Sequence, residues 1–155
     1  MSALLLTTIH SGFQTGSDMG GILAAKDLGL QTGGVMPRGF RTEDGDRPEY
    51  ADLYGAKEHR SRDYGPRTTA NVRDTDATVV CSRHPESSGS LATAREARYF
   101  GRPCVVNPTP EGLVAFLHEH GVVTVNIAGN RESVAPGIEA NVRAFLTSAL
   151  RPHLP

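Results

Sequence analysis

Ser11-Gly12-Phe13-Gln14-Thr15-Gly16-Ser17-Asp18 joins a short apolar run, Leu4 to Ile9, to an apolar-periodic segment from Met19 to Leu28. A strand that stops in small and hydroxyl residues and then starts a helix is the opening unit of an α/β fold. The first N–H groups of a helix lack partners inside it, and its dipole favours negative charge. Phosphates and other oxyanions therefore bind well above such a loop.

Outward from that unit the alternation continues. Leu4–Ile9, Gly33–Met36, Ala77–Cys81, Pro103–Val106 and Val122–Ile127 are expected strands, rich in Val, Ile and Leu and not strictly alternating. Near-continuous apolar strands belong to parallel sheets covered by helices on both faces. Ser17–Leu28, Ser90–Phe100, Pro110–His120 and Pro136–Leu150 are the expected helices. In the last, Ile138, Val142, Phe145, Leu146 and Ala149 share one face. Thr109-Pro110 supplies an N-cap followed by proline at the first helical position. The expected fold is a three-layer α/β sandwich with a mainly parallel central sheet. Residues 37–69, rich in Gly, Pro, Arg, Asp and Tyr, break the pattern as a polar insertion within one domain of residues 1–155. A lid, an oligomer contact and a surface loop all fit it.

Composition narrows the partners. The chain has 155 residues and a net charge of −1, so no global field holds nucleic acid or an anionic membrane. Lys26 and Lys57 are its only lysines against fourteen arginines, the better forks for phosphate or carboxylate. A GC-rich genome gives the same bias, however, and the arginines are spread along the chain. Cys81 and Cys104 lie in apolar runs without zinc or redox spacing, and read as buried thiols. Met1-Ser2-Ala3 carries no basic leader, and no apolar run approaches membrane-spanning length. A cytoplasmic location is the expectation.

Ligands of an open parallel sheet sit at the carboxyl ends of its strands. Two Gly/Ser/Thr turns, Thr15-Gly16-Ser17 and Ser87-Ser88-Gly89-Ser90, fall there, each at an expected helix N-terminus. Gly12, Gly16 and Gly20 do not make the dinucleotide fingerprint, and the phosphate-loop lysine is missing. Arg67 is the preferred side-chain clamp, within a polar group of Tyr64, Thr68 and Asn71. Arg38 follows the second strand and Arg131 the fifth. Asp18, Glu43, Asp44, Asp74 and Asp76 are carboxylates near strand ends, and His10 and His84 are acid–base candidates.

Read in order, these residues resemble the family named putative molybdenum carriers, in the SLOG superfamily of Rossmann-like domains. Ser11 to Asp18 is similar to that family's S-G-G-Q-T-G-x-D. Gly33-Gly34-Val35-Met36-Pro37-Arg38-Gly39 runs into Glu43-Asp44-Gly45. Tyr64-x-x-Arg67-Thr68-x-x-Asn71-Val72-x-Asp74-x-Asp76 follows, then Gly89-Ser90-Leu91-Ala92-Thr93, similar to a G-T-x-x-T helix start. Asn126-Ile127-Ala128-Gly129-x-Arg131-Glu132-Ser133 closes the series, with Pro136-Gly137-Ile138 behind it. Three residues depart from the family: Phe13 replaces a glycine, Met19 an arginine and Met36 a cysteine.

The resemblance implies a homo-oligomer that holds molybdenum cofactor, a pterin carrying a phosphate, as cargo. The expected binding set is Gly12, Phe13, Gln14, Thr15, Gly16, Ser17 and Asp18 from the first loop. Arg38, Arg67, Thr68 and Asn71 join it, with Ser88, Gly89, Ser90, Thr93 and Arg131. Phe13 or Tyr64 is expected to stack on the ring. Cytokinin-activating phosphoribohydrolases of the same superfamily carry P-G-G-x-G-T-x-x-E with a catalytic glutamate, where this chain has Thr93. A hydroxyl supplies no negative charge to an oxocarbenium-like centre, so binding without turnover is favoured. The alternatives are a nucleotide-processing N-glycosidase or phosphohydrolase using Asp18, Asp74 or Glu96, and a nucleotide-signal sensor. Gly16→Val and Gly89→Val are both expected to block phosphate approach.

Overall fold

In the computed structural model, which describes residues 2–155, six parallel strands form one sheet. Strand β1 (Thr8–Ser11) leads into helix α1 (Ser17–Leu28), which returns to β2 (Gln31–Met36). A short hairpin, β3 (Arg41–Thr42) and β4 (Gly45–Asp46), precedes α2 (Tyr50–Tyr54) and β5 (Ala56–Glu58). Helix α3 (Tyr64–Arg73) crosses to β6 (Ala77–Cys81), followed by α4 (Ser88–Phe100) and β7 (Cys104–Val106). Helix α5 (Pro110–Glu119), β8 (Thr124–Gly129) and α6 (Ile138–Leu150) complete the chain before a final 3-10 turn at Arg151–His153.

The sheet runs β5-β2-β1-β8-β6-β7, with α1 and α6 packed together, α5 on α6, and α3 beside α4. This is the expected Rossmann-like α/β arrangement. Every residue of β6 is buried, as a central parallel strand requires. Residues that stop helices are where local chemistry places them. Gly29 ends α1 at a φ of 71°, and the Thr109 hydroxyl caps α5 by accepting from Gly112 N–H at 3.0 Å.

Several boundaries move: β2 starts at Gln31, α4 at Ser88, and β8 runs Thr124–Gly129. The first strand begins at Thr8 and reaches Ser11, although Leu4 and Leu6 before it are buried in the main core. Residues 37–69 are not irregular: they hold β3, β4, α2, β5 and the first turns of α3. These elements are too short for a periodic stripe to show in the sequence. Their apolar residues gather locally instead. Phe40, Tyr50, Tyr54 and Ala56 pack on Phe13, Met19, Ile22 and Met36 in a second cluster beside the main core.

Candidate functional site

The first loop divides its residues between two tasks. Phe13 takes a φ of 56° and turns its ring into the second cluster, where it is fully buried against Tyr50 and Tyr54. Gly12 lies flat because Arg67 and Asp18 occupy the space its side chain would need. Gln14 donates its amide nitrogen to the carbonyls of Gly12 and Arg41, and its backbone N–H to Asp18 Oδ2 at 3.2 Å.

The start of α1 is not open to a ligand. Ser17 N–H donates to the Asn130 carbonyl at 3.0 Å, and the Ser17 hydroxyl to the Cys81 carbonyl at 2.7 Å. A side chain on Gly16 would run into the backbone of Asn130, Arg131 and Glu132. The β8–α6 loop therefore covers this helix N-terminus.

A cleft of about 390 Å³ opens beside that loop, at the carboxyl ends of β1 and β8. Gly12, Gln14, Thr15 and Asp18 line one side, and Tyr64, Arg67, Thr68 and Asn71 of α3 another. Ser88, Gly89, Thr93 and Glu96 of α4 face Asn126, Asn130 and Arg131 at the end of β8. The position follows from topology. Helix α6 leaves β8 on the α1 side and α4 leaves β6 on the α3 side, so a crevice opens between the two strands.

Arg67, Thr68, Asn71, Ser88, Gly89, Thr93 and Arg131 are thus brought together with four residues of the first loop. Phe13, Gly16, Ser17, Arg38 and Ser90 are not among the lining residues. Arg38 is exposed beyond β2, and Ser90 is buried under α4 with its hydroxyl on Ser82 and Ser87. Asp74, the C-cap of α3, is not among the lining residues and pairs to Arg73 at 2.7 Å, while Asp76 accepts from Val123 and Thr124 N–H.

The charged lining of the cleft is balanced, with Arg67 and Arg131 against Asp18 and Glu96. Around the Tyr64 ring stand Arg131 at 4.4 Å, Arg41 at 4.6 Å and Arg67 at 5.6 Å from its centroid. That ring serves the arginines as a cation–π platform. Asp18 answers Arg67 at 3.7 Å, both side chains largely buried. Burial pushes the Asp18 carboxyl above the usual carboxylate range, while Arg67 and the N–H groups of Gln14 and Gly12 pull it back. Burial lowers Arg67 too, yet a guanidinium stays protonated in proteins.

Some polar groups at the cleft already have partners. Asn71 exchanges two hydrogen bonds with the Val35 backbone, and the Thr93 hydroxyl donates to the Gly89 carbonyl. Glu43, from the β3–β4 turn, accepts from Thr15 and from the Ser133 hydroxyl and N–H. This clasp joins the hairpin to both loops at the rim. Arg41, held by the hairpin against the Tyr64 ring, and Asn130, which the β8 turn brings to the cleft, carried no individual sequence signal. A smaller apolar hollow of about 220 Å³ lies between α6 and the end of β6. Among the described residues there is no cluster able to hold a metal ion, and no helix is long and apolar enough to cross a membrane.

The family model described as "Circularly permutated YpsA SLOG family" matches residues 9–150. Among solved structures, the chain is similar to the Putative molybdenum carrier protein from Syntrophus aciditrophicus SB. The two are 29% identical, with a TM-score of 0.87 over 96% of this chain and 97% of that one. No curated protein matches the chain.

Proposed function

The chain belongs to the circularly permutated YpsA SLOG family, and on that footing we propose that it binds a small phosphate-bearing heterocycle and holds it intact. Molybdenum cofactor is the cargo that fits this reading, since the neighbouring structure carries the name of a molybdenum carrier. The observation that carries the proposal is the meeting of Arg67 and Arg131 in one cleft around Tyr64, with Asp18 as the paired carboxylate.

Arg131 and the start of α4 at Ser88 and Gly89 take the phosphate, the first by charge-assisted hydrogen bonds and the second by helix N–H groups. Arg67 lies deeper, against the ring portion. Thr93 stands where a hydrolytic relative has glutamate, and its hydroxyl is engaged by its own helix. Asp18 is committed to Arg67 and Gln14. Neither is free to activate water, which supports retention over cleavage.

A second reading, nucleotide hydrolysis, rests on Glu96, which lines the cleft one helical turn beyond Thr93. Calorimetric titration with a pterin monophosphate and a nucleoside monophosphate, followed by chromatography of the mixture, separates the readings. Binding is expected to weaken about ten- to a hundredfold in Arg131→Ala, the range of one or two charge-assisted hydrogen bonds, with the ligand recovered whole. Unchanged affinity in that variant contradicts the proposal. Release of free base or phosphate, abolished by Glu96→Gln, supports the enzyme instead.

A further inference from the structure

Gln14 and Asn126 both line the cleft and each is only 3% exposed. The Gln14 amide nitrogen donates to two carbonyls, of Gly12 at 3.2 Å and Arg41 at 2.9 Å. Only the NH₂ end serves two carbonyls, so the orientation of this amide is fixed and Oε1 is the atom left over. It has no partner. Asn126 donates Nδ2 to the Thr78 hydroxyl at 3.2 Å, and its Oδ1 is equally unpartnered. A hydroxyl gives or takes, so this second amide offers either atom by turning over. Arg67 Nε is the third unpartnered polar atom at the cleft.

Buried polar groups in native proteins normally have partners. Here a fixed acceptor, a donor and an adaptable amide are left without one on three residues that line the same cleft. Gly12, Gly89, Ala92, Ala128 and Gly129, none with a side chain beyond Cβ, are also among its lining residues. Small residues of this kind leave room for a flat ring.

We propose that the cleft recognises the amino–oxo edge of a pyrimidine ring, the edge that guanine and pterin share. Gln14 Oε1 accepts from the exocyclic amino group. Arg67 Nε donates to the oxo oxygen, and Asn126 serves the remaining position. Gln14 is then a specificity-determining residue. This inference rests on the phosphate-bearing heterocycle reading above.

Equilibrium titration of the full chain tests it with two pairs of probes. One pair is guanosine and inosine 5′-monophosphate, which differ by the 2-amino group. The other is neopterin monophosphate and its 2-oxo (lumazine) counterpart. In at least one pair the amino form is expected to bind at least about tenfold more tightly, because a site built for a donor rejects the analogue lacking it. The pair that shows the gap tells guanine from pterin. In Gln14→Met the gap between the paired probes, read as a ratio within that variant, is expected to shrink to within about twofold. If that variant fails to fold, the wild-type comparison decides alone. Equal affinities in both pairs, with phosphate still bound, overturn the edge assignment and leave the anion site standing. Failure of every probe to bind, inorganic phosphate included, overturns both.

Discussion

Phe13 holds a left-handed backbone conformation that its Cβ disfavours. Burial of the whole ring beside Tyr50, Tyr54 and Met36 offsets that strain. The same φ explains why glycine is the residue common at this position in the resembling family. Met19 and Met36, the other two departures from that family, lie in the same cluster as Phe13. The three departures therefore fall in one core cluster, and Phe13, fully buried there, has no face free to stack on a ligand, contrary to expectation. Phe13→Gly is expected to cost about 2–3 kcal/mol in denaturant unfolding, less than a full aromatic truncation because the strain is relieved. Ligand affinity in the folded fraction should not change. The buried ion pair behaves asymmetrically. Asp18→Asn leaves Arg67 charged and uncompensated, and is expected to cost about 3 kcal/mol, recovered in part when phosphate is added. Arg67→Met leaves a carboxyl already disposed to take a proton, so its cost is smaller and phosphate gives no recovery. Thermal melts with and without phosphate read both outcomes.

At the scale of elements, the two helix N-termini read from the sequence as equivalent turn out to be different. The α1 start is covered by the β8–α6 loop, whereas the α4 start opens on the cleft at Ser88 and Gly89. Gly16→Val is accordingly expected to unfold or misfold the protein, since its backbone has a φ of 84° and no room for a side chain. A side chain on Gly89 meets nothing within 4 Å, so Gly89→Val should fold normally and lose phosphate affinity. Binding and melting measured on both variants separate the two roles. The hairpin clasp has its own pH dependence. Burial pushes Glu43 up, but hydrogen bonds from Ser133 and Thr15 outweigh it and the carboxyl ends below its usual range. A carboxyl lowered by folding contributes fully above its unfolded value, about 4.3, and loses that contribution as the pH falls through the lower folded one. Hydrogen exchange of residues 41–46 should therefore accelerate, relative to the rest of the sheet, only in that acid range. Glu43→Gln should show the faster exchange at neutral pH. Helices α1 and α5 were legible because their caps and apolar spacing are local signals. The hairpin, α2 and β5 were not, because their stability comes from packing on Phe13 and Met36, which no spacing rule displays.

For the whole molecule, β8 is the strand that organises the site, though it comes last in the chain. Counting from β8 and continuing through β1, β2, β5, β6 and β7 turns the sheet order into 4-3-2-1-5-6. That order has the reversal between first and fifth strands at which doubly wound sheets bind ligands. The early and late segments meet physically, since Leu4 N–H donates to the His153 carbonyl at 2.9 Å. A sheet closed in this way keeps its crevice wherever the chain starts. The alternation of strands and helices announced the sheet, but not the place of β8 between β1 and β6, because strand order is a property of long-range pairing. It is this order that sets Arg131 against Tyr64 and Arg67. Native mass spectrometry of the freshly purified protein tests the retention of a ligand there most directly. The expected result is a mass in excess of the chain, matching an intact phosphorylated heterocycle released on unfolding and missing from Arg131→Ala. A bare chain at every stage, or cleavage products in place of the ligand, would contradict it.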